Sequence, residues 1–172
     1  PNNCRYILID SPACPGPWQR AALAACELAL IVVRPDAGSF AALPQLEELL
    51  AHGLGGNHHE RTAYVINRFD PCRTLDLDVR AAFAHVLGSR LLPTVVHECA
   101  SVAEALARGD TVDPSGPTRV ARDFAALAKR VRGLAQTARQ AAARAGSAPS
   151  RRRLAAVSGM MHPEGESIHV ET

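Results

Sequence analysis

The sequence predicts an α/β fold with three layers, in which helices cover both faces of a parallel sheet. Three apolar runs are continuous rather than alternating, which is typical of strands that are buried on both faces. Helical stretches separate these runs, and strands that alternate with helices form parallel β-α-β units with right-handed crossovers. The three runs cover residues 5–10, 28–33 and 63–67.

A fourth strand and five helices complete the predicted order of elements. The strand covers residues 91–97, where Pro93 favours an edge position or a strand entrance because proline has no backbone N–H. One helix, over residues 19–27, precedes the second strand. The other four helices are expected to begin at side chains that can cap a helix N-terminus, namely Ser39, Asp76, Ser101 and Thr118.

The composition excludes several classes of protein. The chain has 172 residues and a formal net charge of +2, and its longest apolar run is far short of the roughly 20 residues that span a bilayer. Its first residues lack the layout of a signal peptide. The five cysteines form no Cys-x-x-Cys pair, so neither a disulfide scaffold nor a zinc ribbon is expected. We therefore expect a cytoplasmic protein with reduced thiols.

The uneven distribution of charge predicts two regions. Residues 1–128 carry 11 basic and 14 acidic residues, whereas residues 129–153 carry eight basic residues and no acidic one. We expect a globular domain over residues 1–135, followed by an Arg/Ala-rich helix end and a disordered tail over 136–172. The basic stretch could contact nucleic acid, but no aromatic residue is interleaved with it. A solvated helix face is the favoured interpretation.

Two predicted strand ends carry polar residues that could bind a ligand. Asp10 ends the first strand, and the carboxyl ends of strands in such sheets face the ligand crevice. A hydrated Mg²⁺ beside nucleotide phosphates would provide a partner for this acid, but capping of the following turn is an equally good interpretation. Asn67 ends the third strand, where its amide could contact a purine edge, although Asn commonly ends strands.

The ordered set of motifs resembles one protein family. Five segments occur in the order and spacing typical of the MinD/ParA family of deviant P-loop ATPases. They are YILIDSPA, LALIVVRPDAGSFAAL, AYVINRFD, RLLPTVVHECASVAEALARGDTV and ARDFAALAKRV. Within that family, the chain is most similar to the cellulose-biosynthesis branch of the BcsQ/YhjQ type. The resemblance covers residues 4–132, and it implies the three-layer parallel sheet of P-loop NTPases.

The resemblance also implies roles for individual residues. Asp10 resembles the family's Walker B acid, which holds Mg²⁺ through a water molecule. Ser11 and Pro12 resemble the start of the switch II turn, which senses the γ-phosphate. Asn67 matches the residue that contacts the adenine ring, and Pro93 belongs to the segment that closes over the base. ATP and Mg²⁺ are therefore the cofactors expected of the complete protein.

One part of the family pattern does not occur in the sequence. The phosphate-binding loop, a Lys-Gly-Gly-x-Gly-Lys stretch followed by Ser or Thr, is absent, and the glycine-rich residues 53–56 cannot replace it because they include no Lys. The resemblance thus predicts a fold that lacks its N-terminal β-α portion. Because the phosphate-loop strand lies centrally in the family's sheet, we expect an exposed apolar seam and poor solubility.

The resemblance implies a function for the complete protein. It would be an ATPase that forms a homodimer around ATP and supports the assembly or polar placement of the cellulose synthase and secretion machinery, with partners recruiting it to the inner membrane or the cell pole. Two alternatives stay open: a ParA-type partitioning ATPase with a DNA-binding basic tail, and a degenerate scaffold that binds no nucleotide. A metal site at His52, His58 and His59 is not favoured, because adjacent histidines point in different directions.

We expect the 172-residue chain alone to show no ATP hydrolysis, because its sequence contains no loop that could hold the β- and γ-phosphates. The measurement is phosphate release from Mg-ATP by the purified chain, with Asp10→Ala as the reference for contaminating activity. Turnover that disappears in the Asp10→Ala variant would contradict this expectation.

Overall fold

The computed structural model describes residues 6–11, 16–55, 57–113, 116–144 and 153–158. These residues form a sheet of five parallel strands. The strands are β1 (Ile7–Ser11), β2 (Leu28–Val33), β3 (Thr62–Phe69), β4 (Leu91–His97) and β5 (Arg153–Ser158). Their order across the sheet is β1-β5-β2-β3-β4, and every neighbouring pair is parallel.

Helices cover both faces of this sheet, which confirms the predicted three-layer α/β class. They are α1 (Pro17–Ala25), α2 (Ala37–Ala41), α3 (Leu43–Leu54), α4 (Thr74–Leu87), α5 (Ala100–Ala107) and α6 (Arg119–Arg144). Side chains alternate between the faces of a strand, so neighbouring residues enter different cores. Ile31 belongs to the core that includes buried residues of α1, α3 and α4, whereas Leu30 belongs to the core under α6.

Several predicted helix starts differ from those in the structure. Asp36, rather than Ser39, caps α2, because its Oδ1 accepts a hydrogen bond from the backbone N–H of Ser39 at 2.7 Å. The predicted cap Asp76 lies inside α4, and α5 begins one residue before Ser101. The prediction for Thr118 is confirmed, since its hydroxyl accepts a hydrogen bond from the backbone N–H of Ala121 at 3.2 Å.

The connection from α3 to β3 contains a second, short helical segment. Helix α3 continues through Leu54, and His58–Arg61 forms a 3-10 turn that leads directly into β3. The guanidinium of Arg61 donates hydrogen bonds to the backbone carbonyls of Cys26, Glu27 and Leu54. These carbonyls lie at or just beyond the ends of α1 and α3, where helices leave backbone acceptors without an internal partner.

Strand β5 is the main difference from the predicted organisation. Residues 153–158 were expected in a disordered tail, but they form a strand between β1 and β2. The expected open seam is therefore wrong for this position, because β5 pairs with both neighbours, as in Asp10 with Ala156 and Leu30 with Ala156. Large apolar side chains are exposed elsewhere, at Leu8 and Trp18.

The other predictions for the C-terminal region are not tested by the structure. Helix α6 continues past the proposed domain boundary at residues 135 and 136, up to Arg144. The remaining part of the predicted tail, residues 145–152 and 159–172, lies outside the described residues. The division into two regions and the poor solubility stay predictions.

We expect Ala156→Pro to detach β1 from the sheet, because an interior strand uses its backbone N–H groups in the ladder and proline has none. The measurement is hydrogen exchange over Ile7–Ser11, which should become at least tenfold faster. The matched control is Ala100→Pro, since Ala100 is exposed and is the first residue of α5, where proline is tolerated. Unchanged exchange in Ala156→Pro would contradict the position of β5.

Candidate functional site

The carboxyl edge of the sheet collects the polar residues singled out in the sequence. Because all strands are parallel, the segments that follow β1, β2, β3 and β4 leave the sheet at this edge. The described segments belong to three turns, between β2 and α2, between β3 and α4, and between β4 and α5. We call this region the carboxyl edge.

The end of β1 supplies an exposed carboxylate and a buried hydroxyl. Asp10 is exposed, so the sequence-based expectation that it needs a partner to offset burial does not hold for this chain. Ser11 is only 3% exposed, and its Oγ has no hydrogen-bond partner among the described residues. A buried hydroxyl without a partner destabilises a protein by about 1–3 kcal/mol, so a polar ligand at this position would be favourable. Pro12 lies outside the described residues.

The turn after β2 holds a guanidinium near the middle of the edge. The backbone N–H of Arg34 donates to Ser39 Oγ at 3.4 Å, and Arg34 Nε lies 3.5 Å from Asp36 Oδ2. Since Asp36 also caps α2, the ion pair fixes the guanidinium to the start of a helix. Arg34 and Asp36 were not among the predicted site residues, although a strand followed by Arg-Pro-Asp-x-x-Ser indicates such a turn.

The end of β3 is held in an unusual backbone conformation at an irregularity of its pairing with β4. Asn67 Oδ1 accepts a hydrogen bond from the backbone N–H of Arg68 at 3.0 Å, and Arg68 has a φ of 59°, in the left-handed region. This conformation is rare for residues other than Gly, Asn and Asp and stores strain of order 1 kcal/mol or more. The bond that the structure shows for Asn67 uses its amide oxygen, so its NH₂ group can donate to a ligand.

An ion pair between Arg68 and Glu98 links the end of β3 to the residue that follows β4. Arg68 Nε donates to Glu98 Oε2 at 2.6 Å, and this hydrogen bond and the carboxylate charge raise the pKa of Arg68. Both side chains are about half exposed, so water screens the pair and its contribution to stability is small. The main effect of the pair is to orient two charged groups beside Asn67.

Two acids fix the backbone of the turn that follows β3. Asp76 is 3% exposed, and its Oδ2 accepts a hydrogen bond from the backbone N–H of Asp70 at 2.8 Å. Asp70 in turn accepts from the backbone N–H of Cys72 at 2.9 Å, which is a turn that Asp commonly makes. Asp76, the expected cap of α4, therefore anchors the turn that directly follows the strand of Asn67 and Arg68.

His97 and Asp123 join the end of β4 to α6. Asp123 Oδ2 accepts from the backbone N–H of His97 at 3.0 Å and lies 2.7 Å from His97 Nδ1. Both side chains are largely buried, with 14% and 15% exposed. The ring of His97 also packs edge-on against Phe69, with 5.7 Å between the ring centroids. The sequence contains the His but gives no signal that its partner lies 26 residues away.

The structure does not bring all the predicted site residues together. Asp10 and Ser11 lie on β1, and three interstrand spacings of about 4.8 Å each separate β1 from the strand of Asn67. Pro93 lies on the edge strand β4, as its sequence predicts, but near the beginning of that strand. Asn67 pairs with Val96, so Pro93 lies about 10 Å back along β4 from the level of Asn67. Val96 lies at that level, and His97, which follows it, pairs with Phe69.

Comparison with known proteins identifies the family. The model of the family described as "Cellulose biosynthesis protein BcsQ" matches residues 2–137 of the chain. The chain belongs to this family. A curated relative is the septum site-determining protein MinD of Thermotoga maritima, which is 28% identical over 130 residues. These residues are 74% of this chain and 47% of the relative, so the chain spans about half the length of the curated relative that it matches.

Membership of the BcsQ family places the chain among the MinD/ParA-like ATPases, as the sequence motifs imply. The family suggests a nucleotide and Mg²⁺ as cofactors. The carboxyl edge fits two parts of such a ligand: Asp10 and the unpartnered Ser11 hydroxyl fit a hydrated metal and phosphate oxygens, and the Asn67 amide fits a purine. These 172 residues contain no phosphate-binding loop, so no hydrolytic step is derived from them.

None of the helices in the described part of the chain combines the length and the apolar character needed to cross a bilayer.

We expect Asp123→Ala to destabilise the protein by about 1–3 kcal/mol, because it leaves two largely buried donors of His97 without their acceptor. Urea unfolding measures the change. The matched control is Asp110→Ala, whose side chain is 65% exposed and pairs with the exposed Arg108, so its effect should stay below about 0.5 kcal/mol. Equal effects of the two substitutions would show that the His97–Asp123 contact does not stabilise this edge.

Proposed function

We propose that this chain is part of a BcsQ-family ATPase that dimerises around Mg-ATP and supports assembly or polar placement of the bacterial cellulose synthase and secretion machinery. The match of residues 2–137 to the BcsQ family carries the proposal. The protein would work in the cytoplasm, and its partners would recruit it to the inner membrane or the cell pole. Hydrolysis would time the release of these partners.

In this proposal the residues of the carboxyl edge have separate tasks. Asp10 holds Mg²⁺ through a water molecule, and its exposed position at the end of a parallel strand supports that role. Ser11 and Pro12 begin the segment that responds to the γ-phosphate, and the Ser11 hydroxyl, which has no hydrogen-bond partner within the described part of the chain, supports a polar contact there. Asn67 donates its amide hydrogens to the purine. Pro93, which lies about 10 Å back along β4 from the level of Asn67, belongs to the segment that closes over the base.

The test uses the full-length product of the gene and titrates Mg-ATP. Asp10→Ala should lower the hydrolysis rate at least 100-fold while ATP binding changes much less, because the substitution removes the acid that holds the metal water. The control is Asp78→Ala, which removes an exposed carboxylate on α4. Full hydrolysis by Asp10→Ala would overturn the role of Asp10.

A second pair of variants tests the base contact. Asn67→Ala should weaken ATP binding about 5- to 30-fold, the range expected for one or two lost hydrogen bonds. Gln45→Ala is the control, since it removes an exposed amide from α3. Equal ATP affinity in the Asn67→Ala and Gln45→Ala variants would contradict the proposed purine contact.

The cellular role needs a separate measurement. Cells that carry Asp10→Ala should make less cellulose than the parent strain and should distribute a labelled cellulose synthase subunit differently, whereas Asp78→Ala cells should match the parent. Normal cellulose in cells that lack the gene would exclude the proposed role, even if the ATPase measurements succeed.

The basic residues of the C-terminal region favour an alternative, a partitioning ATPase that binds DNA. Binding to duplex DNA at several salt concentrations tests it, because phosphate contacts give a steep dependence on salt. Binding that is lost on deletion of residues 139–172 would favour partitioning, and no binding in low salt would exclude it. A scaffold without nucleotide binding is the remaining alternative, and ATP binding by the complete protein would exclude it.

A further inference from the structure

A second group of polar residues lies at the opposite, amino edge of the sheet. Helix α3 contributes Glu47, and the 3-10 turn that precedes β3 contributes His58 and His59. Arg90, in the turn that precedes β4, and Tyr64 of β3 contact the same carboxylate. Strand β3 has eight residues and is therefore about 25 Å long, so this group is remote from Asn67 and the carboxyl edge.

The two histidines turn toward the same carboxylate, contrary to the sequence-based argument that adjacent histidines diverge. The 3-10 turn stacks their rings, with 3.9 Å between the centroids. His58 Nε2 lies 3.7 Å and His59 Nδ1 lies 3.9 Å from Glu47 Oε2. Each of the three side chains offers one ligand atom, and these three atoms all lie within 4.8 Å of one another. His52 does not join them, because its Nδ1 lies 2.7 Å from the backbone carbonyl of Glu48.

Neighbouring residues hold the carboxylate in position and keep it ionised. Tyr64 donates its hydroxyl hydrogen to Glu47 Oε1, and Arg90 Nη1 lies 2.8 Å from both carboxylate oxygens. Burial raises the pKa of Glu47, but the hydrogen bonds from Tyr64 and Arg90 and the adjacent positive charge outweigh it and lower the pKa overall.

We propose that Glu47, His58 and His59 form a binding site for a divalent transition-metal ion of the Zn²⁺ type. Two imidazoles and one carboxylate are a ligand set that Zn²⁺ accepts, with the fourth position open to water. His59 is 60% exposed, so the ion can enter from solvent, whereas His58 is only 13% exposed and fixes the inner side of the site. The three ligand atoms must approach one another by about 1 Å to reach the spacing of a tetrahedral site, and rotations of the side chains can supply this movement.

Arg90 gives the proposal a distinctive consequence. Its guanidinium shares the carboxylate with the metal, so it must shift toward Oε1 when the ion takes Oε2. Removing this positive charge should therefore strengthen metal binding, even though the substitution removes contacts from the fold. A purely structural group of ion pairs predicts no such gain.

The test titrates the 172-residue chain with Co²⁺, whose visible absorption reports its coordination, and then displaces it with Zn²⁺. We expect one equivalent to bind with nitrogen and oxygen ligands. His58→Gln, His59→Gln and Glu47→Gln should each weaken binding at least tenfold, since each removes one ligand and keeps the size of the side chain. Arg90→Gln should strengthen binding severalfold. His52→Gln and His85→Gln are matched controls and should leave the affinity unchanged.

Two results would overturn the proposal. One is equal Co²⁺ affinity in the parent chain and in a variant that carries both His58→Gln and His59→Gln, with circular dichroism showing that both are folded. The other is near-ultraviolet charge-transfer absorption, which marks thiolate ligands and would assign the bound ion to cysteines. If His58→Gln fails to fold, the exposed His59→Gln and the opposite effect of Arg90→Gln decide the question.

Discussion

Burial of β2 and β3 on both faces is the constraint on which the rest of the molecule depends. Strands without a solvent face need helices above and below, and successive parallel strands need crossover connections, which such helices supply. Every connection between strands β1 to β4 therefore crosses a face, and the two ends of the sheet become chemically different. Asp10, Arg34 and Asn67 lie at one end of the sheet. Glu47 lies beside His58 and His59 at the other end.

The interactions at these two edges differ in kind. At the carboxyl edge, hydrogen bonds from carboxylates to backbone N–H groups, such as those of Asp76 and Asp123, fix the turns and leave other polar groups available. At the amino edge, one carboxylate gathers a phenol, a guanidinium and two imidazoles. The first arrangement is typical of a site built around a ligand, whereas the second concentrates metal-ligand side chains around one oxygen.

Much of the fold could be predicted because the signals are local. Continuous apolar runs located β2 and β4 to the residue, and Thr118 marked the start of α6. The helix starts at Ser39 and Asp76 were wrong because a sequence does not tell which of several acids and hydroxyls finds a free N–H. Asp76 accepts from Asp70 instead, a contact created by the bend after β3.

The features that could not be predicted depend on contacts between distant residues. The pairing of His97 with Asp123 and of Arg68 with Glu98 needs the positions of separate elements. The orientation of His58 and His59 toward Glu47 depends on a 3-10 turn that has no cap or periodicity in the sequence. The order of the motifs identified the family, but Pro93 illustrates that a matched motif does not fix the distance to its neighbours.

The order in which the chain leaves the ribosome gives β5 a further meaning. Among the described strands β1 is made before the others, but it pairs with β5 alone, and Ile7 faces Arg153. Strand β1 must therefore wait until β5 has been synthesised, while β2, β3 and β4 can assemble from successive segments. Such long-range parallel pairing is slow, and the unpaired flank of β2 stays open to other strands during that interval. A central strand supplied by an upstream segment would compete with β5 for this same flank.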